Sequence, residues 1–152
     1  MTTVLSDEID VLAKAKHALG AEYAPTEDEE YMCRKQLDYF RQLLLEWKRL
    51  ILSASAGTLQ SLQDGPIREP DLNDRASSET DWGIELRTRD RQRKLIAKIE
   101  SALRRIDEGE YGYCEVTGDP IGIRRLIARP IATMTVEAQE AHERREKISR
   151  DD

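Results

Sequence analysis

Leu37, Phe40, Leu44, Trp47, Ile51, Ala54 and Thr58 recur at alternating spacings of three and four, and no other feature of the chain restricts its fold as strongly. Such a period keeps every member on one stripe of a helix, the seam of a coiled coil. The stretch "YMCRKQLDYFRQLLLEWKRLILSASAGTLQSLQ" is therefore expected to form one helix of about thirty residues, roughly 45 Å long. It breaks at "DGPIREPDLNDRASS", because Gly65, Pro66 and Pro70 cannot lie inside a helix without cost. Helical character resumes in "ETDWGIELRTRDRQRKLIAKIESALRRIDEGE", with Leu95, Ile99, Ala102 and Ile106 on one face and Gly109 as its stop. Two long helices joined by one turn-rich connection return side by side. Residues 33–109 are thus expected to form an antiparallel coiled-coil arm with its tip at 65–76. Toward that tip the second seam turns polar at Thr88, Arg91 and Gln92, so the distal half should pack more weakly.

Composition agrees with an elongated molecule. A chain of 152 residues suits one domain, but 39% hydrophobic against 36% charged residues is too polar for a large compact core. No run of 18 apolar residues exists, so no membrane-spanning helix is expected. The start "MTTVLSDEIDVLAKAKHALG" lacks the basic and apolar regions of a secretory signal. Two cysteines, Cys33 and Cys114, make no disulfide framework, and the expected compartment is the cytoplasm. The net charge of -6 disfavours indiscriminate DNA binding, yet it conceals a split. Residues 1–32 are acidic, whereas residues 87–105 carry Arg87, Arg89, Arg91, Arg93, Lys94, Lys98, Arg104 and Arg105. That separation suggests a docking surface for an acidic partner or a phosphate-rich ligand, with a solvated helix face as the plain alternative.

Residues 1–32 read as a short helix over 7–19, capped by Ser6 and stopped by Gly20, followed by an acidic linker. Residues 110–134 read as a small zinc-binding fold without its ligands. Cys114 opens a C-x-x-C whose second position is Thr117, and the other pair would fall at Thr135 and Ala138. A structural zinc needs four thiolate or imidazole ligands, and neither His17 nor His142 sits at ligand spacing, so no metal is expected. Tyr111, Tyr113, Ile121, Ile123, Leu126, Ile127, Ile131, Met134 and Val136 are the candidates for an apolar core in its place. Cys114 reads as a small core residue rather than a redox sensor, since no resolving partner is evident. Residues 135–152 form a final helix, with Thr135 as its N-cap. The fold class is mostly α: a long antiparallel coiled-coil hairpin, a short N-terminal helix and a small zinc-finger-like head without metal.

The segments "EEYM", "QLDYFRQLLLEWKRL", "DLNDRA", "ELRTRDRQRKLIAKIESAL", "YGYC" and "PIGIRRLIARP", in that order, resemble the DksA family of bacterial RNA polymerase regulators from about Glu29 onward. The cysteine-poor head resembles the zinc-independent branch of that family. The resemblance implies an arm inserted through the secondary channel of RNA polymerase, changing initiation, for example at ribosomal promoters, together with guanosine tetraphosphate, (p)ppGpp. It implies that Asp71, Asp74 and Ala76 form the tip presented to the polymerase active centre. It places Arg91 and Lys94 at the channel rim, and Leu95, Lys98 and Arg129 at a nucleotide site shared with polymerase. Guanidinium and ammonium groups suit a tetraphosphate through charge-assisted hydrogen bonds. Gln139 departs from the family pattern where a Lys is expected, and Arg68 stands near the tip where a smaller polar residue is usual; one cation fewer at the nucleotide site puts the strength of the nucleotide response in question. The implied protein is a monomeric regulator without catalytic residues or a resident cofactor. Three other classes stand beside it. Paired tip carboxylates holding Mg²⁺ would cleave transcripts as the Gre factors do, although the tip sequence resembles DksA. A nucleic-acid-binding zinc finger lacks its ligands, and a plain coiled-coil adaptor has no strong sequence support.

Overall fold

The computed structural model describes residues 2–64 and 72–151, with side chains over residues 10–54 and 80–150. Its described helices are α1 (Thr2–Ala18), α2 (Arg34–Asp64), α3 (Leu72–Glu108), α4 (Ile123–Ala128) and α5 (Val136–Asp151). Among the described residues the only β-pairing is an isolated antiparallel bridge between Tyr113 and Pro120. The architecture is mostly helical: a long antiparallel hairpin of α2 and α3, a short N-terminal helix and a small head. Contacts divide the chain into two compact units, residues 1–20 with 45–99, and residues 21–44 with 100–152.

In the first unit, α1 begins at Thr2 rather than at residue 7, because nothing in "TTVL" interrupts a helix. Its end is as the sequence reads: Gly20 adopts a left-handed φ of 79° and donates its N–H to the His17 carbonyl at 3.1 Å. The unit buries Leu12 and Ala15 from α1, Trp47 and Ile51 from α2, and Leu95 and Ile99 from α3. Ala54, expected on the seam, is exposed, and the side chain of Thr58 lies outside the described residues. Ala54 offers a single methyl, too little to close a seam. The matching stretch of α3 is no better supplied: no described residue from 80 to 94 is buried, Ile84 is half exposed, and Thr88 turns its hydroxyl back onto the Ile84 carbonyl at 3.0 Å.

The second unit is held differently. Arg41 reaches Asp107 at 2.6 Å, so the start of α2 lies beside the end of α3, as antiparallel helices require. α3 closes with a Schellman motif: Gly109 N–H donates to the Ile106 carbonyl at 3.2 Å and Glu110 N–H to the Arg105 carbonyl at 2.9 Å. Gly109 takes the φ of 76° this turn requires. Phe40, Leu43, Leu44, Ala102, Ile106, Tyr111, Cys114, Ile121, Ile123, Leu126, Ile131 and Ala132 are buried there. Of the expected head core, Tyr113 and Val136 are instead exposed, while Ile127 and Met134 are half-buried. Tyr111 and Tyr113, two apart, would share one face of a regular strand, but Gly112 between them takes a φ of 91° and turns the chain, so Tyr111 is buried and Tyr113 exposed. Ile123 and Leu126, three apart, bury one face of α4, a helix too short to show a period in the sequence. Thr135 caps α5, its hydroxyl accepting the Ala138 N–H at 3.2 Å.

Candidate functional site

Residues 87–98 carry the densest positive charge of the described chain. Arg87, Arg91, Lys94 and Lys98, at intervals of four, three and four, share one stripe of α3, and all are exposed. Leu95 lies between them in sequence but is 8% exposed, its side chain committed to the core of the first unit. Arg129 belongs to the second unit, is exposed, and ends α4 in a non-helical conformation with φ -142° and ψ 87°. Gln139 spends its amide on Glu143, at 3.0 Å along α5. Of the expected tip, Asp71 lies outside the described residues, and Asp74 and Ala76 lie on α3 with side chains outside them.

Of the four positions expected from ligand spacing, Thr117 and Thr135 meet the Cys114 sulfur, while Ala138 bonds to Thr135. Cys114 is 4% exposed, and burial pushes its thiol up, but the Thr117 hydroxyl and the backbone N–H groups of Thr135, Thr117 and Val116 pull it down to about 7. The turn beneath it is closed by Gly118 N–H on the Cys114 carbonyl at 2.9 Å and by Cys114 N–H on the Asp119 carbonyl at 2.8 Å. Thr135 thus acts twice, offering its N–H to the sulfur and its hydroxyl to Ala138 as a helix cap. Hydrogen-bond donors surround the thiol where a metal centre would need further thiolates.

Tyrosines 31 and 111 complete the head, and neither was singled out from the sequence for its hydroxyl. The Tyr31 hydroxyl donates to the Gly112 carbonyl and accepts the Gly122 N–H at 3.0 Å, joining both sides of the Tyr113–Pro120 bridge; burial lifts its pKa. Its ring meets Tyr113 edge-on at 5.6 Å. The Tyr111 hydroxyl donates to the Pro130 carbonyl at 2.7 Å, and its ring lies against Phe40 at 5.5 Å. The supposed linker is fastened as well. Gln36, fully buried, accepts the Met32 N–H at 2.8 Å and donates to the Thr26 carbonyl at 3.1 Å. The Thr26 N–H and then the Tyr23 hydroxyl hold the Glu29 carboxyl below its usual range, while burial and that same carboxylate push Tyr23 up to about 12.

Comparison with known proteins matches both parts of the chain. Residues 36–106 match the family described as DnaK suppressor protein DksA, N-terminal domain, and residues 109–144 match the prokaryotic dksA/traR C4-type zinc finger. The RNA polymerase-binding transcription factor DksA of Caulobacter vibrioides (strain NA1000 / CB15N) is 61% identical over 132 residues, 87% of this chain and 93% of that protein. The same-named protein of Escherichia coli (strain K12) is 42% identical over 125 residues, 82% of this chain and 83% of its own length. The solved structure of transcription factor DksA2 from Pseudomonas aeruginosa superposes with a TM-score of 0.69 at 38% identity, covering 88% of this chain and 98% of that one. The matched zinc finger is of C4 type, whereas this chain has two cysteines in all. Among the described residues no group of three or more His, Cys, Asp or Glu could hold a metal. The donor set therefore does not fit a C4 zinc site.

Proposed function

The chain belongs to the DksA family, and from that membership we propose that it is a transcription factor of bacteria, not an enzyme, which binds RNA polymerase through the secondary channel and modulates initiation together with (p)ppGpp. In this reading the hairpin delivers Asp71, Asp74 and Ala76 toward the polymerase active centre, where an ionised carboxylate in a confined, poorly screened channel acts strongly. Arg91 and Lys94 grip the channel rim. Lys98 and Arg129 supply the charges offered to the nucleotide, and Leu95 belongs to the same proposed nucleotide-binding set. The single observation that supports this reading most is the stripe of exposed cations at Arg87, Arg91, Lys94 and Lys98 on a helix of 37 residues, within the stretch that matches the family. An acidic protein with one cationic edge suits one anionic partner rather than DNA at large. The protein acts as a monomer in the cytoplasm.

We further propose that the head works without zinc, held by its apolar core and by the N–H and hydroxyl donors around Cys114. Elemental analysis of purified protein is expected to find zinc far below one equivalent, and a stoichiometric content overturns the proposal. For the tip, Asp74→Asn is expected to leave polymerase binding nearly intact while promoter control in vitro is abolished. Equal loss of binding and control would assign Asp74 a structural role instead.

A further inference from the structure

Arg129 stands on a backbone that is tied on both sides. Its own N–H donates to the Arg125 carbonyl at 2.7 Å, and its carbonyl accepts the Ala132 N–H at 3.0 Å. The next carbonyl, that of Pro130, accepts the hydroxyl of Tyr111 at 2.7 Å. Pro130 is among the fully buried side chains and Tyr111 is 2% exposed, so water does not compete for this bond. The Tyr111 ring in turn lies against Phe40 of α2. An exposed guanidinium thus leaves a short irregular segment whose path is set by a buried phenol some eighteen residues earlier in the chain. Ordering an arginine on binding has an entropic cost, and a backbone already held in place lowers it.

We propose that Tyr111 is a positioning residue for Arg129, and that its hydroxyl tunes how tightly the chain and polymerase together hold a polyphosphorylated guanosine nucleotide. The inference rests on the reading of Arg129 as a cation of that site. Tyr111→Phe is the informative substitution, because it removes the hydroxyl and keeps the ring against Phe40. With bacterial RNA polymerase present and guanosine tetraphosphate titrated in, the half-effective nucleotide concentration is expected to rise about fivefold, the worth of one hydrogen bond. Affinity for polymerase without nucleotide should not change, which a merely structural role would lower. Amide hydrogen exchange of the isolated variant should quicken at Arg129 and Ala132, a direct reading of the segment that does not depend on polymerase. Arg129→Ala serves as the reference. If it weakens the nucleotide response and Tyr111→Phe alters neither that response nor the exchange, the inference fails while the proposed site stands. If Arg129→Ala changes nothing, the site reading itself fails and the inference goes with it. A Tyr111→Phe protein that loses polymerase affinity as much as nucleotide response overturns the positioning role.

Discussion

The distal arm and the head solve the problem of holding a small, charged chain together in opposite ways. From residue 80 to 94 no residue of α3 is buried as a whole, and where indole N–H groups are buried in the first unit, at Trp47 and Trp82, they meet no acceptor. Each such orphan costs about 1–3 kcal/mol. In the second unit, by contrast, the buried hydroxyl of Tyr111, the amide of Gln36 and the thiol of Cys114 all have partners. The arm rests on repetition along two helices. The head rests on particular bonds between residues far apart in the chain, such as Tyr31 with Gly112 and Gly122. A segment with few buried groups opens at low free energy, whereas the head is tied by bonds between residues far apart in the chain.

The contrast is open to direct attack, most forcefully through paired truncations. Phe40→Ala, at a fully buried ring in the second unit, is expected to lower unfolding free energy by about 3–5 kcal/mol in urea titrations. Leu86→Ala, at a side chain 39% exposed on the distal arm, should change it by no more than about 0.5 kcal/mol. Similar costs at both places would mean that the arm is as tightly built as the head. A smaller effect comes from Gly112→Ala. Gly112 has φ +91°, and an added Cβ would lie 2.7 Å from the Met32 sulfur and 2.8 Å from its Cγ. A loss of about 2 kcal/mol is expected from strain and overpacking together, and a wild-type melting curve would show that the Met32 side chain yields freely.

The smallest expected effect is a pH dependence. The Cys114 thiol titrates at about 7 in the folded head against an ordinary value of 9.0, so its thiolate is favoured by folding. The sign follows from linkage: the contribution is complete above about pH 9, shrinks below it, and is gone once pH falls through about 7. Wild-type stability should therefore rise between those two values relative to Cys114→Ala. Parallel profiles for the two proteins would mean that the donors around the sulfur do not favour its anion.

Much of the hairpin could be read before any coordinates, because helical spacing is a local rule. Phe40, Leu44, Trp47, Ile51, Leu95, Ile99, Ala102 and Ile106 are all buried, Gly109 ends α3, and Thr135 starts α5. Each of those outcomes is settled by residues within about one turn of each other. The same kind of reading failed for Ala54, whose burial depends on what the facing helix offers, and for Tyr113, whose direction depends on the left-handed turn at Gly112.

No periodicity ties Tyr31 to Gly112 and Gly122, 81 and 91 residues away, nor Tyr111 to the Pro130 carbonyl. A glycine between two tyrosines, at 111–113, was the one available hint of close packing there. Helix stripes, stops and caps were present in the order of the residues, since neighbours along the chain are neighbours in space. Which hydroxyl satisfies which distant backbone group was decided by folding, because only the assembled core brings those atoms within hydrogen-bonding distance.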